Sequence, residues 1–125
     1  MASLFEQGLI GKLELKNRMI RSATWEGMCE QDGRPTQKLI DYYCNLAKGD
    51  IGLIISGYTY IRLDGKQLSG KMGIYTDDFA LDFKEMTNAV HKAGGKIAIQ
   101  LVHAGGQTNS KSAGQTPVAP SNIKV

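Results

Sequence analysis

The strongest constraint on this chain is an alternation. Three short apolar runs, RMIRSA (residues 18–23), IGLIIS (51–56) and KIAIQL (96–101), are separated by two stretches with helical spacing. IGLIIS is continuous and apolar, as expected of a strand buried on both faces of a parallel sheet. Leu39, Ile40, Tyr43, Leu46 and Ala47 form the apolar stripe of a first helix, with Thr36 as its cap and Gly49 as its stop. Phe79, Phe83, Met86, Val90 and Ala93 form the stripe of a second, capped by Asp77 or Asp78 and ended by Gly94-Gly95. Strand, helix, strand, helix, strand implies a parallel sheet with right-handed crossovers. Two architectures satisfy that order: an open doubly wound sheet and a (β/α)8 barrel. No G-x-G pair and no P-loop occurs, so the nucleotide fingerprints of the first are missing.

Ahead of this pattern, Leu9-Ile10, Gly11-Lys12 and Leu13-Glu14-Leu15 predict a small β-hairpin. Between the second strand and its helix runs a long excursion, residues 58–75, with Asp64-Gly65 as a candidate hairpin turn. The last stretch, GGQTNSKSAGQTPVAPSNIKV, is polar and has no helical periodicity. A third crossover helix is therefore missing, and a complete barrel needs roughly 250 residues. The expected fold class is α/β: the N-terminal part of a (β/α)8 barrel, with about three parallel strands, two helices and an N-terminal hairpin. Residues 1–125 then read as the first portion of a larger domain or one chain of a split one. The alternative is a compact three-strand domain.

Composition narrows the function. A net charge of +3, with no basic run, gives no argument for nucleic acid. No 18-residue apolar stretch and no signal-peptide layout is present, so a cytoplasmic protein without a membrane span is expected. Two cysteines are no disulfide framework; Cys44 is expected buried in the first helix and Cys29 exposed in a polar loop. Two histidines and two cysteines at no ligand-like spacing argue against zinc.

In parallel α/β folds ligands bind at the carboxyl ends of strands. Those ends hold Ser22, Ala23, Thr24 and Trp25, then Ser56, Gly57, Tyr58 and Thr59, then Gln100 through Gly106. Small residues there admit a ligand to the backbone, and Gln100 offers both a donor and an acceptor to the edge of a flat heteroaromatic ring. Inside a strand its amide must be satisfied, by a ligand or by neighbouring backbone or water. His103 can orient a loop or touch a ligand. His91 reads as a helix-flank residue, Trp25 as packing or ligand wall, and Glu26 as an ordinary loop charge or a carboxylate in the site.

LKNRMIRSATWEG, DIGLIISGYTYI and GGKIAIQLVHAGGQ, in this order and spacing, resemble the N-terminal part of the Old Yellow Enzyme family, the FMN-dependent NADH:flavin oxidoreductases and ene-reductases. APSNI (119–123) is similar to that family's loop after the third strand. The resemblance covers nearly the whole chain. It implies an FMN-binding barrel, with NAD(P)H as reductant, a small-molecule substrate, and the hairpin closing the barrel's bottom. It further implies that Gln100 bonds the pyrimidine side of the flavin and that Ser22, Ala23, Thr24 and Trp25 run along the ring. Tyr58 falls where the family usually has a small residue whose backbone N–H meets the flavin. No catalytic role passes to His103.

The chain also departs from that pattern. Many relatives have Thr or Cys at the position of Trp25, tuning flavin potential by a hydrogen bond that Trp cannot make in the same way. Gly106 stands in place of a frequent arginine. The family's His/Asn or His/His pair that holds the substrate carbonyl, its proton-donating tyrosine and its phosphate-binding loops have no counterpart here. Two other readings stay open: a non-catalytic piece that needs the remainder of the barrel, from its own or a separate chain, and an unrelated barrel enzyme binding a phosphorylated ligand; a homo-oligomer is a further partner expectation.

Overall fold

The structure is a computed structural model describing residues 3–122. The final Ile of the APSNI motif therefore lies outside the described residues. Strands β1 (Gly8–Ile10) and β2 (Leu13–Leu15) form the expected antiparallel hairpin, turning at Gly11 with φ +59°. β3 (Ile20–Arg21), β4 (Leu53–Tyr60), β5 (Met72–Gly73) and β6 (Ile97–Val102) make one parallel sheet. β4 is its centre: β3 and then β5 pair along one edge, β6 along the other.

Helix α1 (Gln37–Lys48) forms where its stripe predicts, and buries Leu39, Ile40, Tyr43 and Ala47. The Thr36 hydroxyl accepts the Leu39 N–H at 3.3 Å, a cap worth about 1 kcal/mol. Gly49 is the C-cap, but the left-handed residue is the next one, Asp50, with φ +69°. Helix α2 (Ala80–Lys92) lays Met86 and Val90 against α1 and β4. Neither Asp77 nor Asp78 caps it through a side chain. Both lie in a 3-10 turn, Asp77–Phe79, which moves the α-helical start to Ala80. Together Leu39, Ile40, Tyr43, Ala47, Ile54, Met72, Met86 and Val90 are the core, each large side chain contributing roughly 1.5–3 kcal/mol.

Five sequence expectations are corrected. The Asp64-Gly65 hairpin does not form: Leu63–Gly65 is a 3-10 turn, and β5 returns parallel to β4. The first strand is only two residues long. Beyond Arg21 its neighbour on β4 no longer offers a ladder, because the Gly57 N–H donates to the Tyr43 hydroxyl at 3.1 Å. The polar last stretch holds a short helix, α3 (Ser110–Ala113), capped by Asn109. Cys29 is half-buried, bridged to Pro35 and packed on the core, and Cys44 is half-buried instead of fully buried.

β4 carries one extra residue. Ile55 opposes Ala98 and Tyr58 opposes Gln100, so three steps along β4 match two along β6. This is a β-bulge at Ser56-Gly57. Opposed residues share a face. Ile54 and Ile97 face the helices, whereas Ile55, Tyr58, Ala98 and Gln100 face the other side.

Candidate functional site

The bulge satisfies itself locally. The Ser56 hydroxyl accepts the Gln100 N–H at 3.2 Å and donates to the Gly57 carbonyl at 3.1 Å; the Thr59 hydroxyl donates to that carbonyl too. Ser56 thus fixes the backbone of Gln100 where the β4–β6 ladder is interrupted.

The β3 exit is held against the same point. A Cβ on Gly57 would stand 2.4 Å from Glu26 Oε2 and 2.6 Å from the Thr24 carbonyl, so only glycine lets residues 22–26 approach β4 this closely. Glu26 is the anchor. It pairs with Arg21 at 3.2 Å and accepts the Tyr43 hydroxyl at 3.1 Å, its side chain only 8% exposed. Burial lifts its carboxyl above the usual carboxylate range, and Tyr43 and Arg21 pull part of the way back. The ordinary loop charge read in the sequence is a buried strut. Its signal is the Arg21/Glu26 pair of opposite charges flanking an uncharged strand end, which gains meaning only once Tyr43 is known to face it.

The predicted residues come to one rim. Ser22 and Thr24 are exposed, and Thr24 donates back to the Ser22 carbonyl at 3.1 Å; Ala23 is half-buried between them. Trp25 is 49% exposed, with its indole N–H directed at the Gly70 carbonyl at 3.4 Å. Tyr58 is half-buried, and its hydroxyl donates to the Gly65 carbonyl. Gln100 is exposed on the adjacent strand, opposite Tyr58. The amide read as buried is open, because no described element covers that face of β6. Lys71 was missed in the sequence. Its ammonium lies 5.1 Å from the Trp25 ring centre and 4.3 Å from that of Tyr58, joining the two aromatics.

His103 orients a loop. Its ring packs on Gly65, whose absent Cβ would stand 2.8 Å from it, and it bridges Asp64 and the Gly105 N–H. Gln115 donates to the second Asp64 oxygen at 3.0 Å and Arg62 pairs with it at 2.9 Å. A cleft of about 690 Å³ opens beyond Asp64, between Arg62, Tyr75 and α3, and none of the six rim residues lines it.

The tips of β4 and β6, a glycine-tightened exit loop and an open amide meet along one rim. The family model described as the NADH:flavin oxidoreductase / NADH oxidase family matches residues 3–124. The chain belongs to this family. An NADH oxidase of Thermoanaerobacter brockii is 37% identical over 123 residues, covering 97% of this chain and 19% of that protein. The solved old yellow enzyme homologue of Zymomonas mobilis superposes with a TM-score of 0.88 at 36% identity, over 96% of this chain and 33% of that one. Morphinone reductase, solved with tetrahydroNAD, gives 0.89 at 34% identity, over 98% and 34%. The chain thus spans about a third of these solved relatives and a smaller share of the NADH oxidase. Its fold is the α/β barrel architecture of this NADH:flavin oxidoreductase family, of which it carries a part. Membership sets aside the unrelated phosphate-binding barrel.

Proposed function

We propose that residues 1–125 are the N-terminal portion of a single FMN-binding barrel domain in an NAD(P)H-dependent oxidoreductase acting on a small-molecule substrate. One observation carries the reading. Gln100 presents an amide with no hydrogen-bond partner among the described residues, on the same sheet face as Tyr58, with the pinned segment of Ser22, Ala23, Thr24 and Trp25 along the opposite edge of β4. Those groups fit a planar heteroaromatic ring whose pyrimidine edge needs one donor and one acceptor. When bound, FMN would supply the hydride chemistry, from NAD(P)H to an activated alkene conjugated to a carbonyl or to another acceptor.

This chain's own residues bind and orient. Gln100 holds the polar edge, residues 22–25 line one side, and Ser56 keeps the Gln100 backbone in place. Both described cysteines are free thiols, which agrees with the cytoplasm, where reduced nicotinamide is supplied.

Gln100→Ala in the full-length protein tests the reading. An exposed amide without protein partners contributes little stability, so unfolding should move by less than about 0.5 kcal/mol. FMN affinity should fall by about tenfold, the loss of roughly 1–2 kcal/mol of hydrogen bonding. Unchanged FMN affinity would remove Gln100 from the site.

A second reading concerns the 125-residue chain by itself. Leu101 is 59% exposed on β6, whose far edge has no partner among the described residues. The chain alone is then a non-catalytic piece that needs the rest of the barrel. Titrating FMN into it should give no saturable binding; a yellow, stoichiometric complex would overturn this.

A further inference from the structure

Lys71 is a closely packed lysine to which the fold gives no ion-pair partner. The residue is 6% exposed, yet among the described residues its ammonium pairs with no carboxylate. The nearby acid, Glu26, is committed to Arg21 and Tyr43. Instead Lys71 sits between two aromatic faces, Trp25 and Tyr58, which come from the exit of β3 and from β4. Aromatic faces attract a cation but accept no full hydrogen bond, so its three N–H donors remain to be used. Among the described residues no fully buried side-chain nitrogen lacks a partner, so the stem of Lys71 is covered while its unbonded ammonium tip reaches solvent at the rim. Burial also lowers the ammonium's proton affinity, with Glu26 restoring part of it.

We infer that Lys71 is the charge-bearing positioning residue of the rim, holding from between Trp25 and Tyr58 the positive field that favours the reduced, negatively charged flavin ring over the oxidised, neutral one. This rests on the FMN reading above and deepens it. The two aromatics act through Lys71: they fix a flexible four-carbon side chain at one point of the rim. A preorganised charge of this kind stabilises charge that develops at the ring without reorganising during reaction.

The test is the two-electron midpoint potential of bound FMN in the full-length protein, for wild type, Lys71→Met and Lys71→Arg. Lys71→Met should weaken binding of reduced relative to oxidised flavin by at least tenfold, which is a fall of about 30 mV for a two-electron couple. Lys71→Arg keeps the charge and the aromatic contact and should recover most of that difference. Lys71→Gln, neutral and of similar reach, serves if the Met variant does not fold. An unchanged potential in the neutral variants, or an equal fall in Lys71→Arg, would overturn the inference while leaving the FMN reading intact. A wild-type protein that isolates without flavin and takes up none would overturn both.

Discussion

His103 Nε2 stands 3.3 Å from Asp64 Oδ1, while its Nδ1 accepts the Gly105 N–H at 3.0 Å. A nitrogen that accepts carries no proton, so the geometry selects the tautomer with the proton on Nε2, donated to Asp64. One ring therefore ties the loop after β6 to the turn after β4, and the Ala104 N–H to Gly65 carbonyl bond at 3.1 Å runs beside it. His103→Ala should cost about 1–3 kcal/mol, by leaving Asp64 and Gly105 short of partners. Faster amide exchange at Gly105 and earlier proteolysis in residues 104–109 would report it; unchanged exchange would show the tether to be incidental.

Gly57→Ala should push residues 24–26 off β4. The new methyl meets a backbone oxygen and a pinned carboxylate, neither of which yields cheaply. A cost of about 1–3 kcal/mol is expected from overpacking, together with weaker FMN binding in the full-length protein. Destabilisation with unchanged flavin affinity would mean that the exit loop does not shape the site.

Glu26 should leave a signature in stability against pH. Burial raises its folded-state value above 4.5, so between 4.5 and that value the native state binds more protons than the unfolded chain. Its contribution is fully present below 4.5 and is lost as pH rises through the folded value. Glu26→Gln should abolish that slope. It should otherwise cost little, because the neutral amide matches the protonated acid that burial favours and Arg21 keeps the Tyr42 hydroxyl at 3.1 Å. Urea unfolding across pH 4–8, with and without the substitution, checks both.

Cys29 should be the slow thiol. Burial, then the charges of Glu26, Glu30 and Asp32, push it up to about 12. At pH 8 only about one molecule in ten thousand would carry the thiolate, roughly a thousandfold fewer than for an ordinary cysteine. Alkylation mapped by mass spectrometry should modify Cys29 only on unfolding; labelling of the native protein within minutes would contradict it.

The helices were legible because periodicity is a local property. Leu39, Ile40 and Tyr43 announce α1 wherever the rest of the chain lies, and the strand runs around Ile54 and Ile97 are equally plain. What escaped depends on partners distant in sequence. β5 is two residues, Met72-Gly73, with no alternation to detect; its pairing exists only because β4 runs on to Tyr60. The candidate site divides the same way. Trp25, Tyr58 and Gln100 were visible as strand-end residues, whereas Lys71 gains meaning only when two aromatic rings close on it. Gln100 looked buried because an amide inside an apolar run is usually covered; the side of β6 that carries it is bare.

The surplus residue in β4 acts as a phase inverter. In a regular strand Tyr58 would point the same way as Ile54, into the helices, and its ring would be lost to the core. Inserting one step turns the remainder of the strand over, so that Ile54 faces the helices and Tyr58 the opposite side within one strand of eight residues. A chain shortened by Gly57 would lose a single glycine, and the side chains of β4 beyond it would be inside out.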